Sequence, residues 1–187
     1  MLRKINAILG PAMIVLLLIH VISGAFQLYG LIPGGVVIRE ILSCLLLALA
    51  GIHAVIGVIL TVQTLRNCRQ EGKSYFRKNE RFWLSRISGF ALLFLIAYHV
   101  MLFTGGSGEV FRLQAFGWVQ LAAHIMMVLV LFLHLASNIR PLFIALGIGS
   151  RKYLTDILIV LAIILLVCAA SFVVYYLRWN VLWRYGG

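Results

Sequence analysis

The chain has 187 residues, of which 63% are hydrophobic and only 11% charged. That balance excludes an ordinary soluble enzyme and leaves little chain for a soluble domain beside the apolar part. Sixteen Lys and Arg against five Asp and Glu give a net charge of +11, but the cations lie at the ends of apolar runs, which argues for a membrane protein and against a nucleic-acid partner.

Runs free of Asp, Glu, Lys and Arg cover 5–38, 41–65, 87–108, 113–139 and 157–177. Each can hold a span of about 20 residues. The sequence therefore predicts an all-α integral membrane protein, one transmembrane domain over residues 1–187 with five helices. Span one is expected at 7–28. Its MLRK start superficially resembles a secretory signal, but the apolar run exceeds the usual ~7–15 residues and carries His20, so it reads as a retained span. A Pro-Gly turn, YGLIPGGVVIRE, leads to span two at 41–64.

The connector RNCRQEGKSYFRKNERFW is the one strongly charged segment. It reads either as a solvated loop drawn to anionic lipid or as a docking surface for a soluble partner, with Trp83 suited to the interface. Span three, 87–103, is entered through Arg86-Ile87-Ser88-Gly89 and leaves to the loop TGGSGEVFRLQAF. Span four, 118–139, carries both His124 and His134, and the pair Arg140-Pro141 is expected to end it. PLFIALGIG is too short to span and is expected along the inner interface. Span five, 157–177, has no histidine, and its end is marked by Trp179 and Trp183.

Charge asymmetry orients the spans. Arg3, Lys4, Arg66, Arg69, Lys73, Arg77, Lys78, Arg81, Arg86, Arg140, Arg151 and Lys152 fall on one side, twelve of the sixteen cations. Arg39, Arg112, Arg178 and Arg184 fall on the other. Positive residues favour the cytoplasm, so the N-terminus is expected inside and the C-terminus outside. Cys44, Cys68 and Cys168 form no CxxC or CxxCH motif, which argues against covalent haem attachment and a thiolate metal site and leaves them as helix-packing residues.

The histidines need an explanation, because an imidazole in a lipid-compatible helix is costly. Rise along a helix is about 1.5 Å per residue, so position converts to depth. His20 lies about 13 residues beyond the inner end of span one and His99 lies 13 beyond Arg86, each ~20 Å out. His53 lies near the midplane of span two, and His134 toward the inner end of span four. An outer pair, His20 with His99, and an inner pair, His53 with His134, follow.

Two imidazoles from different helices at one depth are what six-coordinate haem b requires, and bis-histidine ligation leaves no open position, so the role is electron transfer. Gly24 and Gly57, each four residues after a histidine, would let a flat macrocycle approach the backbone. Any one histidine alone would read as a polar residue satisfied within the bundle; four pairing by depth favour two haems. His124 is the fifth. It could replace an outer ligand or contact a quinone, and an ordinary outer-side polar residue is the preferred reading.

RISG nine residues before His99, KINAILG before His20, HAVIG at His53 and HLASNIRPLFIALGIG from His134 fall in an order that resembles the membrane anchor of succinate dehydrogenase or quinol:fumarate reductase, in its five-helix, dihaem cytochrome b form. The resemblance covers nearly the whole chain. It implies haem b held by His20 and His99, and a second by His53 and His134. It also implies a cytoplasmic flavoprotein with FAD and an iron–sulfur subunit on the basic inner face, menaquinone or another quinone near the outer haem, and a bacterial cytoplasmic membrane. Such a chain is a subunit, without succinate or fumarate chemistry of its own, and dimerisation of the complexes is left open.

Asn6, Trp83, Arg86 and Arg140 are the candidate haem-propionate partners at the inner rim. Arg86 is the strongest, since a cation at the membrane edge suits a propionate, and positive-inside anchoring is the plainer reading for the rest. Glu40 and Glu109 are the outer carboxylates that could carry protons for quinol chemistry; solvated loop charge is preferred for Glu109. Two rival functions remain. One is a dihaem cytochrome b of a formate dehydrogenase or hydrogenase, which typically has four spans. The other is a haem-free transporter or scaffold whose histidines handle protons or metal.

Overall fold

A computed structural model of the chain describes residues 2–34, 36–71, 79–104, 116–145, 147 and 151–183. Five long helices make up the fold: α1 (Leu2–Tyr29), α2 (Val37–Gln70), α3 (Glu80–Thr104), α4 (Trp118–Ala145) and α5 (Arg151–Leu177), and a π-helical turn, Arg178–Trp183, continues from α5. All five are long and apolar enough to cross a membrane. The protein is all-helical, with the build of a multi-pass membrane protein. Within the connector, Lys73, Arg77 and Lys78 lie outside the described residues, as do Glu109, Arg112 and Arg184.

Every helix begins or ends beyond the apolar run that betrayed it. The hydrogen-bonded backbone continues into polar sequence, and α2 reaches Gln70 with Arg66 and Arg69 in its last turns. At 34 residues α2 is about 51 Å long, well beyond the ~30 Å hydrocarbon layer. The expected stop at Arg140-Pro141 is corrected: α4 runs through Pro141 to Ala145. Proline removes one N–H and crowds the carbonyl four residues back, yet neighbouring helices and polar side chains let membrane helices carry it. The turn instead closes at Gly147, whose φ of 79° suits glycine, with its N–H on the Ile144 carbonyl at 3.1 Å.

The end of α1 follows the same chemistry. Gly30 takes φ 78°, its N–H donates to Gln27 O and that of Leu31 to Phe26 O, both at 2.9 Å. This Schellman closure satisfies carbonyls that a helix end would leave bare.

Packing arranges the helices as a horseshoe. α5 stands at the back against α1 and α4, α2 packs on α1, and α3 packs on α4. No comparable packing joins α2 to α3 among the described residues. The dense core lies toward α5, where Val21 and Leu28 of α1 and Val128 of α4 meet Leu161, Leu165, Phe172 and Tyr175. Cys168 is buried there, but Cys44 is exposed, so only the former is a core-packing thiol. On the perimeter large apolar side chains such as Ile8, Val15, Val55, Phe94 and Leu166 are exposed, as a lipid-facing surface demands.

Candidate functional site

The gap between α2 and α3 opens into a cavity of about 1730 Å³ lined by side chains of all five helices. A pocket for one ordinary ligand occupies ~300–1,000 Å³, so this space is large enough for two. His20, His53, His99 and His134 all line it.

They meet in the pairs expected from depth. The ring centroids of His20 and His99 are 6.0 Å apart with planes at 81°, and those of His53 and His134 are 6.4 Å apart with planes at 89°. Ser43, which touches His20, is ten residues from His53 on α2, and His124, which touches His99, is ten from His134 on α4. Both intervals amount to ~15 Å of helix, so the pairs occupy two levels.

The spacing of each pair bears on haem iron as a possible occupant. A metal–imidazole bond of ~2 Å on each side, with ~1 Å from the ligating nitrogen to the ring centre, calls for centroids about 6 Å apart. Both pairs fit. Among the described residues no three His, Cys, Asp or Glu side chains cluster for a metal ion. A pair of imidazoles supplies too few ligands for a bare zinc-like ion, and suits an iron that brings its own equatorial nitrogens. Gly24 lines the cavity with nothing within 4 Å of where a Cβ would stand, so the wall there is flat backbone. At Gly57 the same position lies 3.7 Å from Arg86 Nη1.

Three of the four histidines have Nδ1 engaged. His20 Nδ1 lies 3.0 Å from Ser43 Oγ, His134 Nδ1 3.1 Å from Ser88 Oγ, and His99 Nδ1 3.2 Å from His124 Nε2. His53 Nδ1 is buried and has no hydrogen-bond partner among the described residues. Gly89 faces His134, whose Cε1 stands 3.0 Å from an ideal Cβ on that glycine.

His124 is packed inside the bundle. It is 1% exposed, ringed by Phe103, Phe116 and Phe172, with Nδ1 on the Gln120 carbonyl at 2.6 Å. The other candidates separate. Asn6, Trp83 and Arg86 line the cavity, and Asn6 Oδ1 is buried without a partner. The Arg86 guanidinium lies 5.0 Å over the Phe82 ring. Arg140 is exposed and outside the cavity lining, whereas Asn138 and Pro141 of the same stretch of α4 line it. Glu40 lines the cavity mouth and is exposed.

Residues missed by pattern reading are Ser43, Gly89 as a neighbour of His134, and the hydrogen bond from Ser85 Oγ to Asn138 Oδ1 at 2.7 Å that joins α3 to α4. Arg39 was read only as an outer cation, yet it lines the cavity and donates through Nη2 to the Pro33 carbonyl. The one available signal was a hydroxyl in helical register with cavity-facing residues, which is weak among so many apolar positions. The chain matches no family model, no curated protein and no solved structure.

Proposed function

We propose that the chain is a dihaem cytochrome b, an electron-transfer membrane subunit of the kind that anchors succinate dehydrogenase or quinol:fumarate reductase. The observation that carries the reading is the pairing of His20 with His99 and His53 with His134 at 6.0 and 6.4 Å within one cavity. Haem b, when bound, supplies a one-electron iron couple.

The chain's own residues do the rest. Four imidazoles from four helices hold two levels in register across the apolar layer, and electron passage between the levels needs no charged side chain inside a span. Arg86, which lines the cavity beside Gly57, would balance a propionate of a haem held by His53 and His134. The apolar residues that line the cavity would keep water from a bound haem and set its surroundings.

The partner reading rests on the ordered motifs RISG, HAVIG and HLASNIRPLF and on the basic residues Arg66 and Arg69 at the end of α2. It includes an iron–sulfur subunit, a flavoprotein with FAD, and a membrane quinone as the electron partner. The charge asymmetry supports an N-terminus on the cytoplasmic side, and a bacterial cytoplasmic membrane is what the resemblance implies. A reduced-minus-oxidised spectrum of the purified protein tests the first claim, with two b-type components expected. A colourless protein that takes up no haem on reconstitution would end it. The subunits that copurify test the second.

A further inference from the structure

The ring contacts at Nδ1 have a direction that the backbone fixes. A carbonyl oxygen only accepts hydrogen bonds. Ser43 Oγ lies 2.8 Å from Arg39 O and Ser88 Oγ 2.6 Å from Leu84 O, so each hydroxyl gives its single proton to a carbonyl four residues earlier. Each hydroxyl is then left to accept, and its other neighbour, Nδ1 of His20 or His134, must donate.

His124 repeats the arrangement with a ring in place of a hydroxyl. Its Nδ1–H donates to Gln120 O, again four residues earlier. The site is closed to solvent, walled by aromatic rings, and has no carboxylate beside it among the described residues. A second proton on that ring would be an unbalanced buried charge, so Nε2 carries a lone pair and accepts from Nδ1–H of His99.

We infer that Ser43, Ser88 and His124 are positioning residues that lock His20, His134 and His99 in the tautomer with Nδ1 protonated, leaving the Nε2 lone pair of each for iron. The inference rests on the haem reading for the use of those lone pairs, but the tautomers are properties of the polypeptide. The three relays are not equivalent. An imidazole nitrogen is a stronger acceptor than a hydroxyl oxygen and pushes more electron density onto His99, while His53 has no such partner among the described residues. Such outer contacts raise ligand basicity and tune the bound metal.

The test compares His124→Phe, His124→Gln, Ser43→Ala and Ser88→Ala in the pigmented, purified protein. Midpoint potentials and low-spin ferric electron paramagnetic resonance signals are followed for both centres. His124→Phe is expected to shift the His20–His99 centre to a more positive potential and to alter its signal, with the other centre unmoved. His124→Gln, which keeps an acceptor, restores the signal in part. Ser43→Ala shifts the same centre, and Ser88→Ala only the His53–His134 centre. Full pigment with unchanged potentials in all four variants overturns the proposal, as does a His124→Phe shift at the wrong centre. Should His124→Phe not accumulate, the two serine variants decide. Should the protein hold no haem, the reading under Proposed function fails separately. Nitrogen-15 shifts of the histidines in the haem-free chain then decide: protonated Nδ1 at His20, His99 and His134 upholds the relays, and protonated Nε2 overturns them.

Discussion

Gly89 of α3 faces the His134 ring of α4 so closely that a methyl group placed on it would stand 3.0 Å from Cε1 and 3.4 Å from Nδ1. A contact that short forces the ring away from Ser88, its partner one residue earlier on α3. Gly89→Ala is therefore expected to reduce haem at the His53–His134 centre and spare the other. Gly51→Ala is the control, since nothing lies within 4 Å of that position and alanine is favoured over glycine in helices by up to ~1 kcal/mol. Equal haem content in the two variants would refute the assignment.

The RISG stretch shows what the sequence could and could not reveal. It was legible as the entry to the helix bearing His99, by its position between a charged connector and an apolar run. Its local work, however, is on another histidine: Ser88 bonds His134, Gly89 makes room for the ring, and Arg86 lines the cavity near Gly57. Contacts between α3 and α4 depend on helix rotation, which a run apolar on all sides does not encode. Span count and histidine depth survive that ambiguity because length and rise suffice for them. Rotation also explains His124. The sequence gives its ten-residue offset from His134, but only the packed bundle brings it beside His99.

Single-ligand variants should separate the centres. His20→Ala or His99→Ala is expected to remove one b-type component, and His53→Ala or His134→Ala the other, because each pair closes its own site. Redox titration of each variant checks this. Equal loss of both components in every variant would point to general misfolding, which the haem-free thermal transition would reveal.

Ser85 and Asn138 tie α3 to α4 close to the His53–His134 level, where Asn138 Nδ2 also donates to the His134 carbonyl at 2.7 Å. Hydrogen bonds between membrane helices average only about 0.6 kcal/mol, with a ceiling near 1.7. A double-mutant cycle of Ser85→Ala and Asn138→Leu, read by detergent unfolding, should give a coupling in that range. A coupling of several kcal/mol would mean that water or lipid cannot replace the bond, contrary to its partly buried setting.

The near-perpendicular ring planes, 81° and 89°, carry a spectroscopic consequence. If these histidines hold haem iron with their rings crossed in this way, both ferric centres should give strongly anisotropic low-spin signals. Two ordinary rhombic signals would require both pairs to rotate toward parallel on binding haem, which the contacts of Ser43 and Ser88 oppose.

Gly24 and Gly10 of α1 should respond oppositely to leucine. Gly24 lines the cavity and an added Cβ meets no atom within 4 Å, so a larger side chain there extends into space beside the His20–His99 pair. Gly10 touches α4, where an added Cβ would already lie 3.1 Å from Leu142 Cδ1. Overpacking of that kind costs about 1–3 kcal/mol. Gly24→Leu is thus expected to leave the haem-free chain stable while lowering haem content, and Gly10→Leu to lower the thermal midpoint of the chain itself. If Gly24→Leu bound haem as fully as the parent, the flat wall at that position would have no part in seating the macrocycle, and the site would have to lie nearer α2 and α3.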